Sequence, residues 1–440
     1  MGNYYSETLN KGLQLLYFQA DPARFAEGVK LLEEAVAKEE PHAFYFLARC
    51  YGWGDGNVSE NSKKAKALSK RGIELGSDLC VLGADRLDIL KGDIRSAMTG
   101  TMEEAFRGVL TMAEDGEPMA QYAIGLFYFW GDMFLNFQKP LKKDFAACEK
   151  ENAAQALMWF RRSAEQGCIP AFRNAFNSVR SGVNGVTKDP AEALRWAETV
   201  KDKVDLRDYY HSFVLEYQSL KRYDDANRWA EKGTGEGVGV CAVDLGLAYL
   251  SGEKGVPKDE VRALQLFRMA AETGEEYGSY NAGRCYYNGW GCIQDYREAF
   301  RCFEESDRGG HPSAKWFLAQ CYFWGYGVEI DYEMAVHMIN ALISGKQNYP
   351  KDLLGYCYLF GKGIRADMLL GKRLLEEAAQ AGSGQAWMFL GDMYDRGVGV
   401  VVDIPKAVSC YQKAEAQKIS GASEALGRYK RNLFGIWKRR

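Results

Sequence analysis

Apolar residues in this chain gather in short runs at helical spacing, separated by breaks marked with glycine and aspartate. From Ala314 to Trp324, Ala314, Leu318, Ala319 and Tyr322 stand at i, i+4, i+5 and i+8, the spacing of one buried helix face. Gly325 and Gly327 follow, then Asp331 and a second helical run. The pattern predicts two antiparallel helices per unit, a short helix A carrying a small anchor residue and a helix B. The unit recurs: Leu245-Gly246-Leu247-Ala248-Tyr249 is answered by Ala282-Gly283-Arg284-Cys285-Tyr286, Leu318-Ala319-Gln320-Cys321-Tyr322, Leu354-Gly355-Tyr356-Cys357-Tyr358, Leu390-Gly391-Asp392-Met393-Tyr394 and Leu426-Gly427-Arg428-Tyr429. The anchor steps by 37 from Gly246 to Gly283 and then by 36 at Ala319, Gly355, Gly391 and Gly427. Asp259, Asp295, Asp331, Asp367 and Asp403 keep the same 36-residue beat. A fixed period of this length predicts stacked supersecondary units in place of one central core.

The breaks carry their own chemistry. The glycines after each anchor phrase reach the positive φ that ends a helix. The residue opening each helix B is Asn61, Thr101, Asn152, Asp189 or a member of the Asp ladder, all of them favoured N-cap types. Thr101 with Glu104, Asn152 with Gln155, Asp189 with Glu192 and Asp295 with Glu298 have the spacing of a capping box. Arg222 fills the cap slot of the unit around His211, so that unit is expected to be the most distorted.

Before residue 245 the unit persists in worn form, with anchors at Ala48, Gly83, Gly125, Ala175 and His211. The expected organisation is a leading, end-closing helix over 1–40, a tandem array over 41–421 with an insertion near 132–151, and a closing helix over 422–440. The fold class expected is all-α, with about ten two-helix repeats of about 36 residues.

Written out at its clearest, from Ala386 through Leu390-Gly391, Tyr394, Gly397-Val398-Gly399 and Asp403 to Lys406-Ala407 and Lys413-Ala414, the unit resembles the Sel-one-like repeat (SLR) family, relatives of the tetratricopeptide repeats. The resemblance covers most of the chain and implies a right-handed α-solenoid serving as an adaptor or scaffold for protein assemblies. Some secreted members are laced by regularly spaced disulfides, a pattern the cysteines here do not follow.

Composition narrows the function further. The chain is 47% hydrophobic and 26% charged, with a formal net charge of −3, so clustered basic charge of the kind nucleic acid requires is not expected. No apolar run approaches the roughly 20 residues of a membrane span, and no secretory signal pattern opens the chain. Cys50, Cys285, Cys321 and Cys357 each fall two residues after an anchor, an apolar packing slot. Free thiols there suit a reducing compartment, so the cytoplasm is the expected location. Gly2 and Ser6 match a short myristoylation pattern.

Catalytic and metal chemistry find little purchase. Asp residues capping helices of neighbouring units stand about 10 Å apart, too far to share a metal at about 2.0–2.6 Å. His42 and His311 read as turn residues beside Pro41 and Pro312. No cofactor or metal site is expected.

Binding has better support. Helix-A positions three before the anchor and one, four and five after it are spared from repeat packing. They hold Tyr45, Arg49 and Trp53; Tyr122, Phe129 and Trp130; Tyr280, Arg284 and Tyr287; Trp316, Gln320, Phe323 and Trp324; and Asp352, Tyr356 and Phe360. Aromatic residues and arginine dominate interface energetics. These positions predict a protein- or peptide-binding groove. The alternatives are a hydrolase of peptidoglycan-type or β-lactam substrates, a class the resemblance brings in, and a structural subunit that uses its convex face or the insertion.

Overall fold

The computed structural model describes residues 4–19, 21–83, 101–131, 145–183, 185–346, 350–431 and 437–440. Among them lie 23 α-helices and two three-residue strands. The chain divides into two compact units, Met1–Tyr209 and Tyr210–Arg440.

The first unit opens with helix Glu7–Leu13, continues through a π turn Gln14–Phe18, and reverses into Phe25–Ala37. The leading segment is therefore a hairpin, a correction to the single helix expected over 1–40. The reversal follows from Asp21-Pro22: the Asp21 carboxylate accepts from the Ala23 amide, and Pro22 starts the short 3-10 turn before Phe25. Hairpins then follow in order, Pro41–Trp53 with Ser62–Glu74, Asp78–Gly83 with Met102–Glu114, Pro118–Phe129 with Phe145–Ala164, and Ile169–Ser181 with Pro190–Val200. Residues 132–144 of the expected insertion lie outside the described residues. From Phe145 the chain is helical, so this helix B runs 20 residues where most run 13. Asn152 thus lies inside the helix, 2% exposed, and is not a cap. The helix-favouring run Ala146 to Glu151 carries the helix past it.

The second unit repeats the hairpin with greater regularity, as in Glu276–Asn288 with Tyr296–Arg308 and Ala314–Trp324 with Tyr332–Ser344. One arrangement explains the 36-residue beat. In the turn, the backbone N–H of each ladder aspartate donates to the carbonyl of the anchor-phrase tyrosine: Asp295 to Tyr286 at 3.0 Å, Asp331 to Tyr322 at 2.9 Å, Asp367 to Tyr358 at 3.0 Å. Its carboxylate then accepts from the third amide of helix B, as Asp331 does from Met334 at 2.9 Å. One residue closes the turn and caps the helix, satisfying an amide that would otherwise lack a partner. Of the four expected capping boxes only Thr101 with Glu104 is complete. Glu192 pairs with Arg161 and Glu298 with Arg301, so their carboxylates serve neighbouring guanidiniums in place of the cap. Arg222 makes no side-chain cap, as expected of the distorted unit.

The turn glycines are sterically required. Gly325 has φ 75° and Gly327 φ 76°, and a Cβ on Gly327 would collide with the Tyr296 carbonyl of the preceding hairpin. The anchors are small for a related reason. A large side chain of helix B lies over each one: Phe267 over Gly246, Phe303 over Gly283, Leu375 over Gly355 and Tyr411 over Gly391. These side chains and Ile339 are fully buried, forming the layer between the two helices of each hairpin.

The C-terminal segment departs from expectation. Helix Ala422–Gly427 is followed by strands Tyr429–Arg431 and Trp437–Arg439, paired antiparallel with Tyr429 opposite Arg439. This corrects the closing helix expected over 422–440. Tyr429 is buried near Tyr411 at 6.2 Å between ring centroids, and Arg439 donates from Nε to Asp395 Oδ1 at 3.0 Å.

Candidate binding grooves

Each unit holds a cleft built from helix-A residues. In the second unit a cleft of about 480 Å³ is bounded by Tyr287, Trp316, Gln320, Trp324 and Asp352, supplied by three successive A helices. All five are positions singled out in the sequence. The Tyr287 ring is held edge-on by Phe317 at 5.6 Å and Tyr326 at 5.8 Å. Burial first, and the Tyr326 hydroxyl second, push its pKa up, so it stays a neutral phenol. Asp352 accepts from the Ser383 hydroxyl at 2.7 Å and from the Leu353 amide at 2.9 Å. The cleft therefore joins aromatic faces to a fixed acceptor and an amide side chain.

In the first unit a cleft of about 520 Å³ is lined by Arg49, Trp53, Asp55, Tyr122, Trp130 and Arg173. Trp53 is 43% and Trp130 61% exposed, whereas Arg49 is 8% exposed. Arg49 donates from Nε to Asp55 Oδ2 at 2.9 Å, and its guanidinium carbon lies 5.4 Å from both the Trp53 and Tyr122 rings. Burial drives the Tyr122 phenol up to about 12 against the opposing pull of Arg49.

The remaining candidates do not line these clefts. Phe323 is 2% exposed, its ring packed on Trp324, Tyr332, Tyr356 and Phe389. It belongs to the core, which corrects its assignment to the groove. Tyr356 and Phe360 lie in the same aromatic layer, 4.7 Å apart. Tyr45 is buried against Phe46. Phe129 packs on Phe160. Arg284 lies over Tyr280 and Trp290 and donates to Asn281. The repeat register does not point to Asp55 and Arg173 in the first cleft, or to Gln385 and Ser420 in the second. Asp55 and Ser420 sit in turns, Gln385 at the start of its helix and Arg173 two residues before the anchor Ala175, places to which the anchor register assigns no role. Tyr326, placed directly after a turn glycine, was the one such residue its aromatic type could have flagged.

Four cysteines at register positions and two of the histidines are engaged in packing. Burial pushes the thiols of Cys50, Cys285, Cys321 and Cys357 up to about 12, far from the thiolate a nucleophile needs. Burial also lowers the pKa of His42 and His311. His42 lies in the first turn of Pro41–Trp53, its Nδ1 3.2 Å from Ser77 Oγ. His311 stacks on Tyr280 with ring centroids 4.0 Å apart.

Nine segments of the chain match the Sel1 repeat family: 41–77, 118–139, 147–168, 180–199, 240–274, 277–311, 312–339, 353–383 and 386–418. The chain belongs to this family. Its fold is similar to that of a Sel1 repeat protein from Oxalobacter formigenes, at 22% identity and a TM-score of 0.47 over 73% of this chain and 90% of that one. It is similar also to a protective antigen of uropathogenic Escherichia coli strains displaying an SLR fold, at 20% identity and a TM-score of 0.47 over 91% and 89%. A third similarity is to the yeast Tom70, at 14% identity and a TM-score of 0.27 over 95% and 94%. No curated protein matches. No helix among the described residues is long and apolar enough to cross a membrane.

Proposed function

We propose that the chain is a non-catalytic protein-interaction scaffold that holds an extended peptide or a partner's helix along its A helices. One observation carries the reading. Register positions that the hairpins do not need for packing converge on a cleft in each unit: Arg49, Trp53 and Trp130 in the first, Tyr287, Trp316, Gln320 and Trp324 in the second. Half-exposed aromatic rings beside fixed polar groups are what interface hot spots are made of. The cysteines are all free and most are buried, which fits a reducing compartment and favours the cytoplasm.

The test is site-specific photo-crosslinking in the native cell. A crosslinker at Gln320 should trap a discrete partner, and one at exposed Gln265 on a B helix should not; Trp324→Ala should abolish the adduct while the helical circular dichroism stays unchanged. An equal adduct from Gln265, or an adduct at Gln320 indifferent to Trp324→Ala, would mean that another face does the binding.

A further inference from the structure

We infer that the cleft of the first unit reads a carboxylate, and that its occupant is an acidic peptide segment whose Glu or Asp side chain enters between Arg49 and Arg173. The inference rests on the proposed scaffold function and names the chemistry of one of its grooves.

Arg49 is 8% exposed, and a charge so far removed from water must be paired or hydrogen-bonded. Asp55 takes its Nε at 2.9 Å. The same Asp55 oxygen accepts from the Tyr17 hydroxyl at 2.9 Å, so this carboxylate is shared and fixed from two sides. The Trp53 and Tyr122 rings, each 5.4 Å from the guanidinium carbon, hold the planar group in place. The two terminal nitrogens of Arg49 have no acceptor among the described residues, although the side chain lines the cleft.

Arg173 repeats the arrangement on Ile169–Ser181, three A helices further along the chain. Its Nε donates to the Tyr209 hydroxyl at 3.0 Å, and its terminal nitrogens likewise have no acceptor among the described residues. Asn174 lies beside it in the lining. The described lining thus offers two guanidiniums against one carboxylate already engaged, in a chain whose formal net charge is −3. Fixed guanidiniums with free terminal N–H groups match a carboxylate in geometry as well as charge. The exposed rings of Trp53 and Trp130 supply apolar surface for the residues flanking the acidic one.

Fluorescence anisotropy with a labelled, terminally blocked hexapeptide alternating glutamate and leucine tests the inference against its glutamine counterpart. The intact chain should bind the glutamate peptide at least about tenfold more tightly, with a preference that shrinks as salt is raised. Arg173→Gln, at an exposed position, should erase the preference without changing the thermal melt. Arg49→Lys, which keeps the charge and loses the fork, should weaken it. Equal binding of the two peptides, binding of neither, or a preference unmoved by Arg173→Gln would overturn the inference. So would binding that appears only when the peptide's C-terminus is left free. The two readings fail separately. Equal binding of both peptides that is lost in Trp53→Ala leaves the groove standing and removes the acid preference, whereas partner adducts confined to B helices remove the groove itself.

Discussion

At the scale of single residues, the most informative side chain outside the grooves is His211. It fills an anchor slot that neighbouring repeats give to glycine or alanine, and its Nε2 stands 3.2 Å from Asp244 Oδ2. The interaction with Asp244 raises its pKa above the ordinary imidazole value, against the opposing effect of burial. A raised folded-state pKa contributes stability that is full below about pH 6.5, the unfolded value, and is lost as pH rises through the folded value. In a proton-detected titration His211 should therefore titrate above His42 and His311, and Asp244→Asn should bring it down. If His211 titrates alongside the other two, the pairing is absent in solution. The groove residues show how far single positions could be read from register alone. Trp53, Trp130 and Trp324 lie five past an anchor and reach the rim, as the register suggests. Tyr287 and Phe323 both lie four past one, yet Tyr287 lines a cleft while Phe323 is buried. Four residues make slightly more than a helical turn, which leaves that position at the edge of the packed seam. There the tyrosine hydroxyl favours the wet side and the bare phenyl ring the dry one.

At the scale of the hairpin, helix boundaries were legible because their signals are short-range. An aspartate that both closes a turn and caps a helix leaves the same trace every 36 residues, and Asn61, Asp189 and the five ladder aspartates all cap as their type suggests. The misleading signals are those that a competing partner overrides. Glu192 and Glu298 have capping-box spacing but are drawn away by Arg161 and Arg301. The C-terminal pattern suggests a helix, whereas its strands are tied to Asp395, which lies 44 residues before Arg439. Asp395 is 8% exposed. Burial disfavours its charge, but Tyr429 and Arg439 outweigh burial and hold its pKa below the usual range. Arg439→Ala should therefore destabilise the C-terminal strands, because it leaves the Asp395 carboxylate without its guanidinium partner. The loss should be measurable by urea unfolding near neutral pH and should diminish as pH falls below about 4, the unfolded value, and through the lower folded-state value of Asp395. A cost unchanged down to pH 3 would show that the strands are held by packing alone.

At the scale of the whole chain, hairpins such as Gly246 with Phe267, Gly283 with Phe303 and Gly391 with Tyr411 bury a large side chain under their own anchor, and within a unit they pack on the hairpins beside them in sequence. Stability in such an array is a sum of local terms and nearest-neighbour contacts. Gly391→Leu should drive a side chain into Tyr411, whose ring would stand 2.5 Å from even a Cβ at that position, at a cost of about 1–3 kcal/mol. Hydrogen exchange should show protection lost in Gly384–Arg396, Ile404–Ala416 and the adjoining Met368–Gln380, with Pro41–Trp53 unaffected. Loss of protection throughout both units would mean that the chain unfolds as a single cooperative block. This locality is also why the architecture could be read from one sequence. A period repeated along the chain averages out the drift of any one copy, while a groove is written only once.

The fit of Tyr411 over Gly391, and of Phe303 over Gly283, lies within one hairpin, and this bears on how such a gene can change length. An unequal crossover that adds or removes a complete repeat carries each cavity along with its filler, so the product packs at once. A crossover falling between the two helices would set a tyrosine against Ala319, or leave Ile339 beneath a vacant glycine, and selection would discard it. Viable breakpoints should therefore cluster in the short turns that join one hairpin to the next.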